Sequence, residues 1–231
     1  MSRRKAVPQT ALDWRKSWRI VSSRFPPVGL FDAVADPADL DRVYALESLT
    51  NPRVREQCGE LHLVPPGRRI SGPGTTPVMS AFTHINPQGS RFADGSYGVY
   101  YAAHEKETAI RETVFHREVF LRESHTPPTE LDMRCYVAAI KGEFDDIRGS
   151  RPRLHDPDSY AASQIFARKR RDQGSNGIVF DSVRHQGGQA VAVFYPDLVS
   201  KCRQAEHLCY VWNGERITDV LRKTLTLKLA D

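Results

Sequence analysis

Tyr97–Leu121, YGVYYAAHEKETAIRETVFHREVFL, changes its period part-way along, and the rest of the chain is read outward from that change. The first residues read as a strand. Tyr97, Val99 and Tyr101 alternate with Gly98 and Tyr100, and aromatic residues favour a pleated, half-buried surface. The remainder reads as a helix, with Glu105 and Glu107 in a first turn where the helix dipole favours negative charge. Ile110, Val114 and Leu121 make an apolar stripe at helical spacing. Glu112 lies far from that stripe, on a second face with Thr108, Phe115 and Val119. A helix with two apolar faces is covered on both sides, so a carboxylate there is partly desolvated and needs a donor or a cation. The plain alternative is a surface glutamate paired with Arg111 or His116.

Composition narrows the classes. The chain has 231 residues, 40% of them apolar, with 10 Phe, 8 Tyr and 3 Trp, which suffices for a core and argues against disorder. The net charge is +5 and the pI near 9.1. This mild basicity suits an anionic small molecule, an acidic protein or nucleic acid without choosing among them. Cys58, Cys135, Cys202 and Cys209 form no C-x-x-C pair, and Cys202, His207 and Cys209 lack a second ligand pair, so reduced thiols in a cytoplasmic protein are expected and no metal site. The N-terminal residues contain no apolar run of a secretory signal, and no run approaches a membrane span.

Along the chain, Trp18–Val21 reads as a short strand ending before a Pro26–Pro27 turn. Asp36–Pro37 and Asn51–Pro52 each open a short helix, and Gly59 stops the second. Residues 64–96 read as a long loop with at most short strands around Val78–Ile85; loops of this length are often functional. Cys135–Ile140 is strand-like. Asp156–Pro157 opens a helix with Ala161, Ala162, Ile165 and Phe166 inside and Gly174 as its stop. The Arg168–Arg171 run at its end suits the dipole or touches phosphates, and the solvated helix end is the plainer reading. Gly177–Ser182 and Gln189–Tyr195 form a hairpin, as do Leu208–Trp212 and Glu215–Val220 around Asn213–Gly214, a type I′ signal. Leu225, Leu227 and Leu229 suggest an added edge strand. Strands near both ends with helices between predict an α+β domain of mainly antiparallel strands with flanking helices. Neither a dinucleotide-binding glycine fingerprint nor a P-loop is present.

Four pieces stand in order: Trp18-Arg19-Ile20; Gly89-Ser90-Arg91-Phe92; Tyr101 followed by Glu112; and Phe180-Asp181-Ser182-Val183-Arg184 before Gly187-Gly188. Their order and spacing resemble the RES domain family, named for its Arg, Glu and Ser. Ser90, Phe92 and Asp181 depart mildly from that family's pattern, which has Gly, Trp and Pro there. The resemblance covers about residues 18–196 of a single domain spanning 1–231. Residues 26–88 would then be an insertion or lid, and 197–231 a C-terminal hairpin and tail.

The resemblance implies a fold like that of ADP-ribosyltransferases. It also implies a toxin that cleaves the nicotinamide–ribose bond of NAD, by hydrolysis or phosphorolysis, and an Xre-type antitoxin that covers the site. NAD is substrate, and no resident cofactor is implied. Some relatives transfer ADP-ribose to a protein, which is the alternative within the fold. A basic nucleic-acid-binding module is the alternative of another class, although no aromatics interleave the basic run. Homodimerisation stays open.

The residue types fit the implied chemistry. Nicotinamide leaves as a neutral base from a cationic group, so the transition state is oxocarbenium-like, and a carboxylate such as Glu112 stabilises it and orients the acceptor. Arg19 and Arg91 have the fork that binds two pyrophosphate oxygens. Tyr101 offers a ring face and a hydroxyl, Ser182 holds ribose or nicotinamide in register, and Arg184 joins the substrate-binding set. Each has a plain alternative: an exposed strand arginine, a core aromatic, a strand-end hydroxyl.

Overall fold

The computed structural model describes residues 6–23, 30–50 and 59–227. Among them, seven strands form one mostly antiparallel sheet: β1 (Gln9–Ser22), β2 (Tyr100–Ala103), β3 (Thr129–Asp146), β4 (Gly177–Asp181), β5 (Gln189–Val193), β6 (Arg203–Trp212) and β7 (Ile217–Lys223). Their order is β1-β2-β5-β4-β3-β6-β7. The helices are α1 (Leu30–Ala33), α2 (Leu40–Thr50), α3 (Thr76–Thr83), α4 (Lys106–Glu123) and α5 (Ala161–Asp172). This is the α+β architecture predicted from the order of elements. No helix among the described residues is long and apolar enough to cross a membrane.

The sheet closes on itself. β1 pairs β3 directly, from Gln9↔Asp145 to Ser22↔Met133. It also meets β2 at Trp18↔Ala103 on its other edge. β3 reaches β4 in parallel at Asp145↔Ile178 and Asp146↔Val179. Ring closure covers edges that an open sheet leaves bare. β1 runs far beyond the short Trp18–Val21 strand expected. Asp13, Arg15 and Lys16 face solvent while Leu12, Trp14 and Ser17 are buried, so the charges that disguised the strand are its outer face. A bulge between Trp14 and Ser17 resets the register, and the buried Ser17 hydroxyl donates to the Ala138 carbonyl at 2.9 Å.

β2 begins at Tyr100, three residues later than the aromatic alternation predicts. It pairs β5 along its length. Both faces are covered, with Tyr100, Ala102 and Ala103 all buried, so alternation does not separate inside from outside here.

Residues 64–96 differ most from expectation. Where short strands were expected around Val78–Ile85 there is α3. Its first turn carries Pro77, whose fixed φ and missing N–H suit that position, and Val78, Met79, Ala81 and Phe82 are all buried. Gly98 lets this helix lie on the backbone just ahead of β2, because an added Cβ would collide with Ala81 O and Phe82 Cα. The described parts of 26–88 do not hang free as a lid. Phe31, Leu40, Leu61, Val64, Met79 and Phe82 share one apolar core with Leu12, Trp14, Tyr100 and Phe144. Asp36 caps the turn before α2 by accepting the Ala38 N–H at 2.9 Å, as predicted. The Pro26–Pro27 turn, the Asn51–Pro52 helix start and Cys58 lie outside the described residues.

Asp156–Pro157 does not open α5. The Asp156 carboxylate accepts the N–H groups of Asp158 and Ser159, closing a turn that ends before Ala161. The buried residues of α5 are Ser163 and Ala167, whereas Ile165 is 74% exposed and Ala161 and Ala162 face solvent. Small residues one turn apart bring the helix close to its neighbours, which displaces the expected apolar face. Nor is its basic end merely solvated. Arg170 forms a paired contact with Asp145, Arg171 stacks on Tyr97 and Tyr195, and Arg168 pairs with Asp94. Three of the four basic residues, Arg168, Arg170 and Arg171, are therefore engaged by protein partners.

β6 and β7 form the second hairpin, but its turn is longer than a two-residue type I′. Asn213 Oδ1 accepts the N–H groups of both Glu215 and Arg216. The expected edge strand in the tail is absent through Leu227: β7 ends at Lys223, and Leu225 and Leu227 are 80% and 68% exposed.

Candidate functional site

Helix α4 and the β4–β5 hairpin bring Glu112 and Ser182 together. The Ser182 hydroxyl donates to Glu112 Oε1 at 2.5 Å. The Ser182 hydroxyl oxygen in turn accepts the N–H groups of Arg184 at 3.2 Å and His185 at 3.0 Å. Ser182 is buried and its own N–H reaches Gly188 O. The turn is held on the helix by Thr108, whose hydroxyl meets His185 Nδ1 at 2.9 Å. Gly188 permits this approach, since a Cβ there would lie 2.6 Å from Thr108 Oγ1. Glu112 is therefore neither a free surface carboxylate nor a partner of Arg111, which pairs with Glu107 instead. Oε2 of Glu112 accepts no hydrogen bond among the described residues.

Two arginines flank this pair. Arg184 stacks on Phe115, its guanidinium carbon 3.3 Å from the ring centre, and donates to Pro157 O. Arg91 is buried, and its Nη1 donates to the carbonyls of Leu154 and Asp156 at 3.2 and 2.7 Å. Its guanidinium lies over Tyr160. Burial lowers its pKa, opposed by the negative ends of Tyr160 and Glu112 and reinforced by Arg184. Arg91 thus anchors the 152–160 loop while contributing positive charge close to Glu112.

Tyr101 is the joint to the second group. Its hydroxyl contacts Ser90 Oγ at 2.8 Å and accepts the Phe92 N–H at 2.8 Å. Burial pushes its pKa up to about 12, so it stays protonated. Its carbonyl accepts from Arg19 Nη1 at 3.1 Å, and the Arg19 guanidinium stacks on Tyr100. Arg19 and Tyr101 line a cavity of about 800 Å³, a usual size for a ligand pocket. Glu112, Ser182, Arg91 and Arg184 do not line it. The six residues expected from sequence thus fall into two groups on either side of Tyr101, and Arg91 couples electrostatically to both Tyr101 and Glu112.

Sequence reasoning placed Thr108 on the Glu112 face and Ser90 in the Arg91 motif without giving either a role, and it missed Tyr160 and His185; all four hold the other side chains in place. It also missed Arg134 and Tyr136, which line the cavity beside Arg19 on the paired strand β3. Their alternation on β3 was visible, but the pairing of β3 with β1 was not.

The model of the RES domain matches residues 66–213. The chain belongs to the RES domain family. Arg91, Tyr101, Glu112, Ser182 and Arg184 all fall within the matched span of this RES domain, whereas Arg19 precedes it. An uncharacterized protein of Sinorhizobium fredii, y4oC, is 28% identical over 204 residues, covering 87% of this chain and 84% of that protein. The crystal structure of the M. tuberculosis MbcT–MbcA toxin–antitoxin complex superposes with a TM-score of 0.46 at 8% identity, over 88% of this chain and 87% of that one.

Proposed function

We infer that this RES domain protein is an enzyme that cleaves the nicotinamide–ribose bond of NAD, acting as a toxin held in check by an antitoxin. The observation that carries the reading is the Glu112–Ser182 pair: a carboxylate fixed by a short hydrogen bond, with Oε1 engaged and no described partner on Oε2. A transition state that builds positive charge on ribose is stabilised by such a preorganised carboxylate, because the group need not reorient as charge develops. The cavity beyond Tyr101 has the size for a dinucleotide, and Arg19 on its wall suits a diphosphate.

In this reading Glu112 stabilises the oxocarbenium ion and orients the acceptor, Ser182 fixes the carboxylate, and Arg19 and Tyr101 seat the substrate. Arg91 and Arg184 support from behind, one by anchoring a loop and the other by covering Phe115. Water and phosphate are both acceptable second reactants. A cell that makes such an enzyme needs the site blocked, so an antitoxin of the Xre type is the expected partner.

Incubating the purified protein with NAD and measuring free nicotinamide tests the activity, with and without phosphate to identify the acceptor. Expression with and without the neighbouring reading frames, following growth and cellular NAD, tests the toxin–antitoxin part. No nicotinamide release from the folded protein would reject the enzymatic reading. Harmless expression of an NAD-cleaving chain alone would reject the toxin reading.

A further inference from the structure

The β1–β3 register sets Arg19 opposite Tyr136 and Val21 opposite Arg134. All four line the same cavity, so Arg19 and Arg134 occupy one diagonal of its floor, the spacing over which long side chains act together. The Nε atoms of both arginines are buried and have no hydrogen-bond partner among the described residues. Arg19 still reaches Tyr101 O through Nη1. Arg134 has no side-chain hydrogen bond or ion pair to any described residue. Among the described residues, no aspartate or glutamate lines the cavity. The N-terminus of α3, which also borders it, is already satisfied: Asp32 Oδ1 accepts both the N–H and the hydroxyl of Thr76.

A buried guanidinium N–H without an acceptor is costly. Arg19 and Arg134 bring two positive charges to one cavity that no described carboxylate lines, and a ligand with oxygen acceptors and negative charge compensates both. The planar fork matches phosphate oxygens. We propose that Arg134 and Arg19 form one phosphate-binding site on the cavity floor, with Arg134 as the arm that lies outside the Arg, Glu and Ser motifs. The site itself stands on this geometry. The carrier of the phosphate, either the diphosphate of the dinucleotide or a free phosphate acting as acceptor, rests on the function proposed above.

Titrating inorganic pyrophosphate and ADP-ribose into the wild-type protein, Arg134→Met and Arg134→Lys tests the site. Arg134→Met should bind pyrophosphate about 10- to 100-fold more weakly, the range for one lost charge-assisted hydrogen bond. Arg134→Lys, which keeps the charge without the fork, should fall between. Equal affinities in all three proteins, or no binding of either ligand by the wild type, would overturn the site. If Arg134→Met does not fold, Arg134→Lys decides alone, and less than a twofold loss overturns it.

Turnover then separates the carriers. A raised KM for NAD at unchanged kcat assigns the dinucleotide's diphosphate. A raised phosphate requirement at unchanged KM for NAD assigns the acceptor. A protein that binds pyrophosphate through Arg134 yet releases no nicotinamide keeps this site and loses the proposed function. Nicotinamide release with unaltered pyrophosphate binding in Arg134→Met does the reverse.

Discussion

The Ser182 hydroxyl stands 2.5 Å from Glu112 Oε1 and is itself held by the N–H groups of Arg184 and His185. A helix carboxylate is thus aimed by the turn of a hairpin seventy residues further along the chain. Glu112→Gln retains the shape of the side chain and its contact with Ser182, but removes the negative charge. The expected outcome is a loss of about 100- to 1,000-fold in NAD cleavage, the effect of removing one preorganised electrostatic group. The melting temperature should stay within a few degrees of wild type. A folded Glu112→Gln protein with more than half the wild-type rate would dismiss the role.

Ser182→Ala tests positioning. The methyl group leaves two backbone N–H groups without their acceptor and Glu112 without its donor. Each unmet buried group costs about 1–3 kcal/mol, so both stability and turnover fall. A Glu112 that merely needed the hydroxyl for folding would give a stability loss with kcat intact in the surviving folded protein. The positioning role predicts a fall in kcat with little change in KM, and partial rescue by Ser182→Thr, which restores a hydroxyl.

Phe31, Leu40, Leu61, Val64 and Phe82 make their segments part of the core, not a removable cover. Phe82 is 2% exposed and packs among residues of α1, α3 and the sheet. Phe82→Ala should therefore cost about 3–5 kcal/mol. In a chain of this size that is a fall of roughly 6–20 °C in melting temperature, which a thermal melt measures. A change under 2 °C would restore the view of this segment as an accessory.

How much was legible depended on which residues meet within one element. Thr108, Glu112 and Phe115 announce a second apolar face on α4 from spacing alone, because helical neighbours are fixed by sequence. The Gln189–Tyr195 strand and its Gly187–Gly188 turn were equally plain. The Glu112–Ser182 contact was not a matter of spacing, and only the ordered motifs suggested it. β1 was hidden because Asp13, Arg15 and Lys16 decorate its outer face, so mean hydropathy falls where alternation persists. α3 was hidden by its Gly- and Pro-rich approach, although Pro77 just after Thr75–Thr76 is a helix-start signal. The partners of Arg91 and Arg170 were invisible, since Leu154, Asp156 and Asp145 reach them only through tertiary folding.

Tyr101 makes stability depend on alkaline pH. Burial, with a smaller push from Tyr160, raises its pKa from 10.0 to about 12, opposed by the Ser90 and Phe92 hydrogen bonds and by Arg91. The unfolded chain releases this proton near 10, whereas the folded chain keeps it until about 12. The stabilisation is therefore fully present below pH 10 and lost as the pH rises from 10 to 12. The rise corresponds to roughly 2 kcal/mol after discounting for the partly exposed ring. Tyr210, also pushed up to about 12 by burial, adds in the same window. Tyr101→Phe should be less stable at pH 8, having lost its bonds to Ser90 and Phe92. It should also show a shallower fall between pH 10 and 12 in urea titrations. An unchanged slope would mean that Tyr101 does not contribute to the alkaline loss.

Arg170 and Asp145 tie α5 to the strand junction behind the site. Asp145 is wholly buried, and Arg170 Nε and Nη2 each donate to one of its oxygens at 2.7 Å. These hydrogen bonds hold the Arg170 guanidinium above its ordinary pKa. Asp145 also sits where β3 pairs in parallel with β4, the strand that leads into Ser182. Removing one partner strands a buried carboxylate, which typically costs about 3–5 kcal/mol, while the intact pair gives much less net stabilisation because both charges were desolvated to form it. Arg170→Met should therefore be severely destabilised, and Arg170→Met combined with Asp145→Leu should regain most of the loss. Urea denaturation of the two single variants and the double variant measures the coupling. Turnover of the double variant shows whether the junction also sets the position of Ser182: unchanged kcat would confine the pair to stability, and a reduced kcat in a protein of restored stability would tie it to the site. A loss below 1 kcal/mol in Arg170→Met would mean that solvent reaches Asp145 and that the ion pair is no anchor.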